Sequence, residues 1–298
     1  MSTDIASRVT QSKDISRNKK KLDGAGQFWL VFRYIALALL FVIAALPIYI
    51  MVINSVKGIT GVSQSAAFIP PTSLNFGAWG PTWEILREPM FRTLVFVLQS
   101  SIISAIIGSI NGFVFAKWRF KGSTVIFTSF LFGMFIPYQA IMIPLTQFNK
   151  WAGIGGTIYV LVFAHIIYGI PICTLIFRNY YQGIPNELIE AARVDGASMT
   201  YIYRAIILPL SIPGFVVVLI WQFTSAWNDF LFAIFLTGGS PKLSVATTAL
   251  NFITGSGNQV YYGNNMTASL IVSIPTLLVY MFLGRYFLRG LLSGSLKG

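Results

Sequence analysis

Charged residues are missing from five long stretches of this chain, 34–56, 93–116, 122–149, 151–177 and 205–228, and a sixth apolar stretch, 268–284, ends on Arg285. A helix that crosses a bilayer needs about 20 predominantly apolar residues, so the pattern predicts six transmembrane helices and an all-α integral membrane fold. Strands of an outer-membrane barrel would be about 10 residues of alternating character, and these runs are too long and too uniform for them. From the end of the last span, Arg285 can snorkel its guanidinium to the interface.

Polar intervals divide the rest into a tail over 1–30, loops at 54–91, 116–122 ("AKWRFKG"), 178–205 and 237–267 ("TGGSPKL", "TGSGNQVYYGNN"), and a tail over 289–298. The first of these loops contains "FIPPTSLNFGAWGPTWEILREPMF". Its Pro-Pro pair and Asn-Phe-Gly turn break regular structure, while Trp79, Trp83, Ile85 and Leu86 predict a short helix lying on the membrane interface. Glu84 and Glu88 sit one turn apart with Arg87 and Arg92 beside them, which reads as a solvated charged face rather than an acid–base couple. Pro137, Pro144, Pro171, Pro209, Pro213 and Pro275 interrupt spans or their ends. Kinked helices suit a bundle that rocks, although prolines are also common in spanning helices generally. The first apolar run follows a long polar segment and has no A-x-A site between its end and the next polar stretch, so it reads as a retained helix and not a cleaved signal.

Only 10% of the 298 residues are charged, 55% are apolar, and the mean hydropathy is +0.70. Net charge is +12, which in a soluble protein would point to nucleic acid; the distribution points elsewhere. Sixteen of the 21 basic residues fall on one side of a six-span arrangement, among them Arg8, Lys13, Arg17, Lys19, Lys20 and Lys21 in the first tail and, after the sixth span, Arg285, Arg289 and Lys297. The positive-inside rule then places both termini in the cytoplasm. The basic tail could also touch anionic lipid, but orientation alone explains it. Cys173 is the single cysteine and His165 the single histidine, so neither an intramolecular disulfide nor a cysteine metal site is available, and one histidine builds no metal site or relay.

The loop at 178–205 and its sequel contain "EAARVDGASMTYIYRAIILP", residues 190–209. Pro185 can open a helix, Glu187 and Glu190 suit its positive end, and Asp195-Gly196 stops it. Ser198 or Thr200 can then cap a second short helix running to Leu208. The reading is a helix-turn-helix knuckle projecting from the membrane, with Ala191 and Ala192 smooth enough for another protein's backbone to approach.

The spacing E-A-A, three residues, Gly196, nine residues, Ile206-x-Leu208-Pro209 resembles the EAA loop of the permease subunits of binding-protein-dependent ABC importers. "FVFAKWRFKG", "AWNDFLFA" and "GRYFLRGLLSGSLKG" resemble the carbohydrate branch that includes the maltose-type permeases. The resemblance covers about residues 30–298 and implies a type I importer permease fold in the plasma membrane of a bacterium or archaeon. It implies a second homologous permease, a dimer of ABC ATPase subunits that uses ATP and Mg, and an extracytoplasmic binding protein met by the loop at 237–267. It further implies that Glu190, Ala191, Ala192, Asp195 and Gly196, with Leu208 and Pro209 closing the motif, dock in a groove on the ATPase, and that the tail from Gly290 reaches the ATPase interface. G-x-x-x-x-G-K-[ST] does not occur, so this chain is not expected to bind ATP by a P-loop, and no bound cofactor is expected in it.

A polar solute needs hydrogen-bond partners and aromatic faces inside the bundle. Asn111, Gln139, Gln147, His165, Tyr168, Trp221, Gln222, Trp227, Asn228 and Asp229 are available in the spans. Trp227-Asn228-Asp229 together with Asn111 are the preferred pathway residues, because a carboxylate at membrane depth normally faces a cavity. Asp229 could equally sit hydrated at the outer mouth or pair with a partner permease. The expected cargo is a sugar or a sugar-derived osmolyte. The rival is a carrier or channel that works alone with Asp229 as its ion site; an enzyme finds no nucleophile–base pair or metal cluster to work with.

Overall fold

The computed structural model describes residues 24–58, 67–118, 120–255 and 262–295, with side chains from 26 to 286. The basic tail before Gly24, Arg119, the centre of the loop at 237–267, the side chain of Arg289, and Lys297 with its neighbours lie outside the described residues.

Helix α1 (Gly24–Ser55) continues through Pro47, and between Phe28 and Tyr49 almost every large apolar side chain is exposed. The remainder of the chain, from Met51 onward, forms its own compact unit. It holds α2 (Trp79–Lys117), α3 (Ser123–Phe132), α4 (Tyr138–Trp151), α5 (Tyr159–Gln182), α6 (Asn186–Val194), α7 (Met199–Ile202), α8 (Ile212–Trp227), α9 (Leu231–Leu236), α10 (Ala246–Gly255) and α11 (Tyr262–Ser295). Among the described residues the sole β pairing is an isolated bridge between Lys57 and Asn75.

Helices α2 and α5 form the spine. In water the hydrophobic effect would hold them; in lipid, close packing and interhelical hydrogen bonds must do so. Ser100, Ser104, Gly108 and Gly112, four residues apart along one ridge of α2, are all buried. A Cβ at Gly108 would lie 2.4 Å from Cys173 Cβ and 2.9 Å from its carbonyl carbon, and one at Gly112 would lie 2.6 Å from Phe177 Cβ. The matching ridge of α5 is His165, Gly169, Cys173 and Phe177, all buried. The pairs advance in the same order along both helices, so α2 and α5 run parallel. Helix α8 runs against them: Phe215 packs edge-on to Phe177, with ring centroids 4.6 Å apart, while Gln222 Nε2 donates to the His165 carbonyl at 2.9 Å.

Four helices are long and apolar enough to cross a membrane, α1, α2, α5 and α11, and the number rises to six if each of two bent pairs is one crossing. The first bent pair joins α3 to α4 through a 3-10 turn at Gly133–Phe135 and turns by 96°, with Ile136 extended before Pro137. The second joins Met199–Leu210 to α8 at Ser211 and turns by 75°. Three sequence-based boundaries therefore change. The stretch 122–149 is not one straight helix, because a residue before proline leaves the α region. The stretch 151–177 becomes helical only at Tyr159, since Gly153 and Gly156 take positive φ and the Asn149 carbonyl accepts from Ile154 and Gly155 N–H. The interfacial helix expected near Trp79 is the first part of α2, whose 39 residues extend for about 58 Å. The buried Pro89 is no break, and Thr93 Oγ1 donates to the Pro89 carbonyl and accepts from Ala246 N–H.

Candidate functional site

The knuckle begins where Lys117, at the end of α2, donates to the Ile184 carbonyl at 2.6 Å and to Asn186 Oδ1 at 2.8 Å. Pro185 stands at the N-cap of α6 rather than inside it, and Glu187 lies in the first turn. At the other end Gly196 takes φ +80°, Gly196 N–H donates to the Arg193 carbonyl and Ala197 N–H to the Ala192 carbonyl. That pair of bonds is a Schellman cap, and it satisfies carbonyls that a helix end otherwise leaves bare. Ser198 then caps α7, its hydroxyl accepting from Tyr201 N–H. Instead of ending at Leu208, the second limb passes through a π turn at Tyr203–Ile207 and continues to Leu210.

The knuckle has two faces. Ile189, Ile202 and Ile207 are buried against Cys173, Phe177, Tyr181 and Val218, with Ala192 partly covered beside them. The opposite face leaves Glu190, Ala191, Asp195 and Gly196 exposed, along with Leu208 and Pro209. It also exposes Leu188 and Val194, the latter by 87%. Sequence reasoning missed these two, although Leu188, Ala191 and Val194 recur every three residues on the side away from Ile189 and so form a second apolar stripe.

The pathway candidates separate. Trp227 is 2% exposed, stacks on Phe223 and donates its indole N–H to the Val272 carbonyl at 3.0 Å. Asn228 is exposed, and Trp221 and Ser225 are exposed along the same side of α8. Asn111 and Tyr168 are half-buried, and Gln139 and Gln147 are exposed. The Asp229 carboxylate accepts from Phe232 N–H at 3.4 Å and from Ala233 N–H at 3.1 Å, so it caps α9. His165 Nε2 lies 3.6 Å from Asp229 Oδ2, across 64 residues of sequence, with its ring stacked on Phe96. No sequence signal joined that pair. Among the described residues no three His, Cys, Asp or Glu side chains gather as a metal site.

An all-helical bundle whose spans continue into a packed, glycine-cornered knuckle defines a multi-pass membrane protein. Residues 112–293 match the profile of the family described as "binding-protein-dependent transport system inner membrane component", and the chain belongs to that family as the non-catalytic permease subunit of an ABC-type importer. It is 35% identical over 268 residues to the xylose/arabinose import permease protein XacI of Haloferax volcanii, covering 82% of this chain and 86% of that one. It is 33% identical over 274 residues to the glucose import system permease protein GlcU of Saccharolobus solfataricus, covering 89% and 95%. A bacterial ABC transporter involved in import of the acidic polysaccharide alginate shares the fold, with a TM-score of 0.77 at 20% identity over 89% of this chain and 98% of that one.

Proposed function

We propose that this chain is one of two permeases in an ATP-driven importer of a sugar or sugar-derived osmolyte, with six spans and both termini in the cytoplasm. The observation that carries the reading is the knuckle: a rigid, Schellman-capped corner whose inner face is packed into the bundle and whose outer face offers Glu190, Ala191, Val194, Asp195 and Gly196 to a partner. The relatives named for xylose, arabinose and glucose import support the cargo class. On this reading the outer face, with Ala192 behind it and Leu208 and Pro209 beside it, sits on a separate ATPase that uses ATP and Mg. Closure of the ATPase dimer pushes the knuckle, and the spans rock. An extracytoplasmic binding protein delivers the solute at the far side, and Asn228, with Trp221 and Ser225, faces the pathway opposite a second permease. Asn111 lines it at the other end, while Trp227 and Asp229 shape it from behind.

The test is purification of the solubilised chain from its native membranes with its co-purifying subunits, followed by ATP hydrolysis with xylose, arabinose, glucose or maltose added beside the co-purified binding protein. An ATPase and a second permease should come with the wild type, and Gly196→Asp should lose them or lose sugar-stimulated hydrolysis. A chain recovered alone that still moves solute would overturn the assignment.

A further inference from the structure

Four hydroxyls lie in a line beneath the knuckle. Tyr203 Oη, in the π turn, is 2.8 Å from Ser109 Oγ on α2; Ser109 Oγ is 2.6 Å from Tyr181 Oη on α5; and Tyr181 Oη is 3.0 Å from Ser211 Oγ at the 75° bend into α8. The line ends at the Ile207 carbonyl, which the Ser211 hydroxyl also reaches. Ser109, Tyr181 and Ser211 are each 0% exposed, and Tyr203 is half-buried.

Each hydroxyl has one proton to give. The Ser211 hydroxyl is the donor at this end, its one proton shared between the Tyr181 hydroxyl and the Ile207 carbonyl, so the others align head to tail away from it: Ser211 to Tyr181, Tyr181 to Ser109, Ser109 to Tyr203. Bonds in such a row polarise one another, and a break in the middle strands buried hydroxyls on both sides. The two ends of the row are also the two ends of one segment. Leu208 N–H bonds the Tyr203 carbonyl in the π turn, and Ser211 N–H bonds Leu208 instead of continuing the ladder to Ile207. That irregular stretch, holding Pro209, would otherwise be the softest link between knuckle and span.

We propose that Ser109, Tyr181, Tyr203 and Ser211 are positioning residues for coupling. The hydroxyl row braces 203–211 against both α2 and α5, so that a push on the knuckle turns α8 and its partners as one body instead of bending at Ser211. This inference rests on the docking reading given above.

The experiment is amide hydrogen exchange on the complete purified complex, with and without MgATP and vanadate, for the wild type, Tyr203→Phe, Ser109→Ala and the control Tyr201→Phe. The Tyr201 side chain is 62% exposed and its hydroxyl is outside the row. Tyr203→Phe keeps the ring beside Phe113, with centroids 5.4 Å apart. In the wild type and the control, nucleotide should change exchange both at 186–202 and at 228–240, beyond the far end of α8. In Tyr203→Phe the response at 186–202 should persist, while that at 228–240 falls about fivefold, the factor one buried hydrogen bond is worth. Ser109→Ala should behave alike, and the double variant no worse than either alone. A full response at 228–240 in Tyr203→Phe would overturn the proposal whether or not Ser109→Ala assembles. A wild-type knuckle that ignores nucleotide would instead overturn the docking reading, and the brace with it.

Discussion

At the scale of single residues, space decides more than chemistry does. A methyl on Gly108 or Gly112 has to displace backbone of α5, whereas one on Gly284, inside α11, meets nothing within 4 Å. Gly108→Ala and Gly112→Ala should therefore each lower stability by about 1–3 kcal/mol, the usual cost of overpacking. Gly284→Ala should raise it by about 0.5–1 kcal/mol through helix propensity; thermal melting of the three in detergent reads the contrast. Asp229 is a second case. As a cap for α9 it should tolerate Asn, which keeps an acceptor oxygen, and Asp229→Ala should cost about 0.5–2 kcal/mol of stability with transport otherwise intact. Proteoliposome uptake checks this, and a complete loss of uptake in Asp229→Asn would restore the carboxylate as an ion site. Gly196 was legible from sequence because glycine after a helix has one common use. The His165–Asp229 pair was not, since nothing local draws α5 toward the start of α9.

Elements carry their information in faces. The two sides of α6 and α7 should separate experimentally: Ile202→Ala empties a site that is 0% exposed and should cost about 2–5 kcal/mol of stability. Val194→Asp, at 87% exposure, should leave melting unchanged and lower ATPase co-purification at least about tenfold. The apolar stretches were readable because lipid demands uninterrupted hydrophobic length. The breaks within them were harder to read. Pro137 stands in the sequence like Pro144, Pro171 and Pro275, yet those three lie inside continuous helices and only Pro137 coincides with a sharp turn. What sets Pro137 apart is the extended backbone of Ile136 before it, a state the local sequence does not display. The ladder Ser100, Ser104, Gly108, Gly112 was written at helical spacing all along; it passed unread because small residues give no hydropathy contrast with their apolar neighbours.

Across the whole molecule, alternation of direction is the constraint that a side-of-membrane experiment can exploit. Cys173 is 0% exposed, so the natural chain should be silent to membrane-impermeant maleimide. With a cysteine introduced at Lys121 it should label only from the cytoplasmic face, and with one at Trp151, whose side chain is 82% exposed, only from the outside. Labelling of both from one face would overturn the six-span orientation. The bend between α3 and α4 also says something about the order of synthesis. Those helices have 10 and 14 residues, each short of the roughly 20 needed to cross, and the backbone between them must find partners in protein, because lipid supplies none. The two halves are held from α5, where Val160 and Leu161 pack with Met142 and Leu145, and Arg178 lies 4.2 Å over the Phe127 ring. A nascent chain that has emerged only as far as Trp151 therefore has a segment it cannot yet leave in the bilayer. In the proposed six-span arrangement the third crossing would then be completed only with the fourth, so slower synthesis through residues 152–182 should lengthen the time the pair stands unfinished.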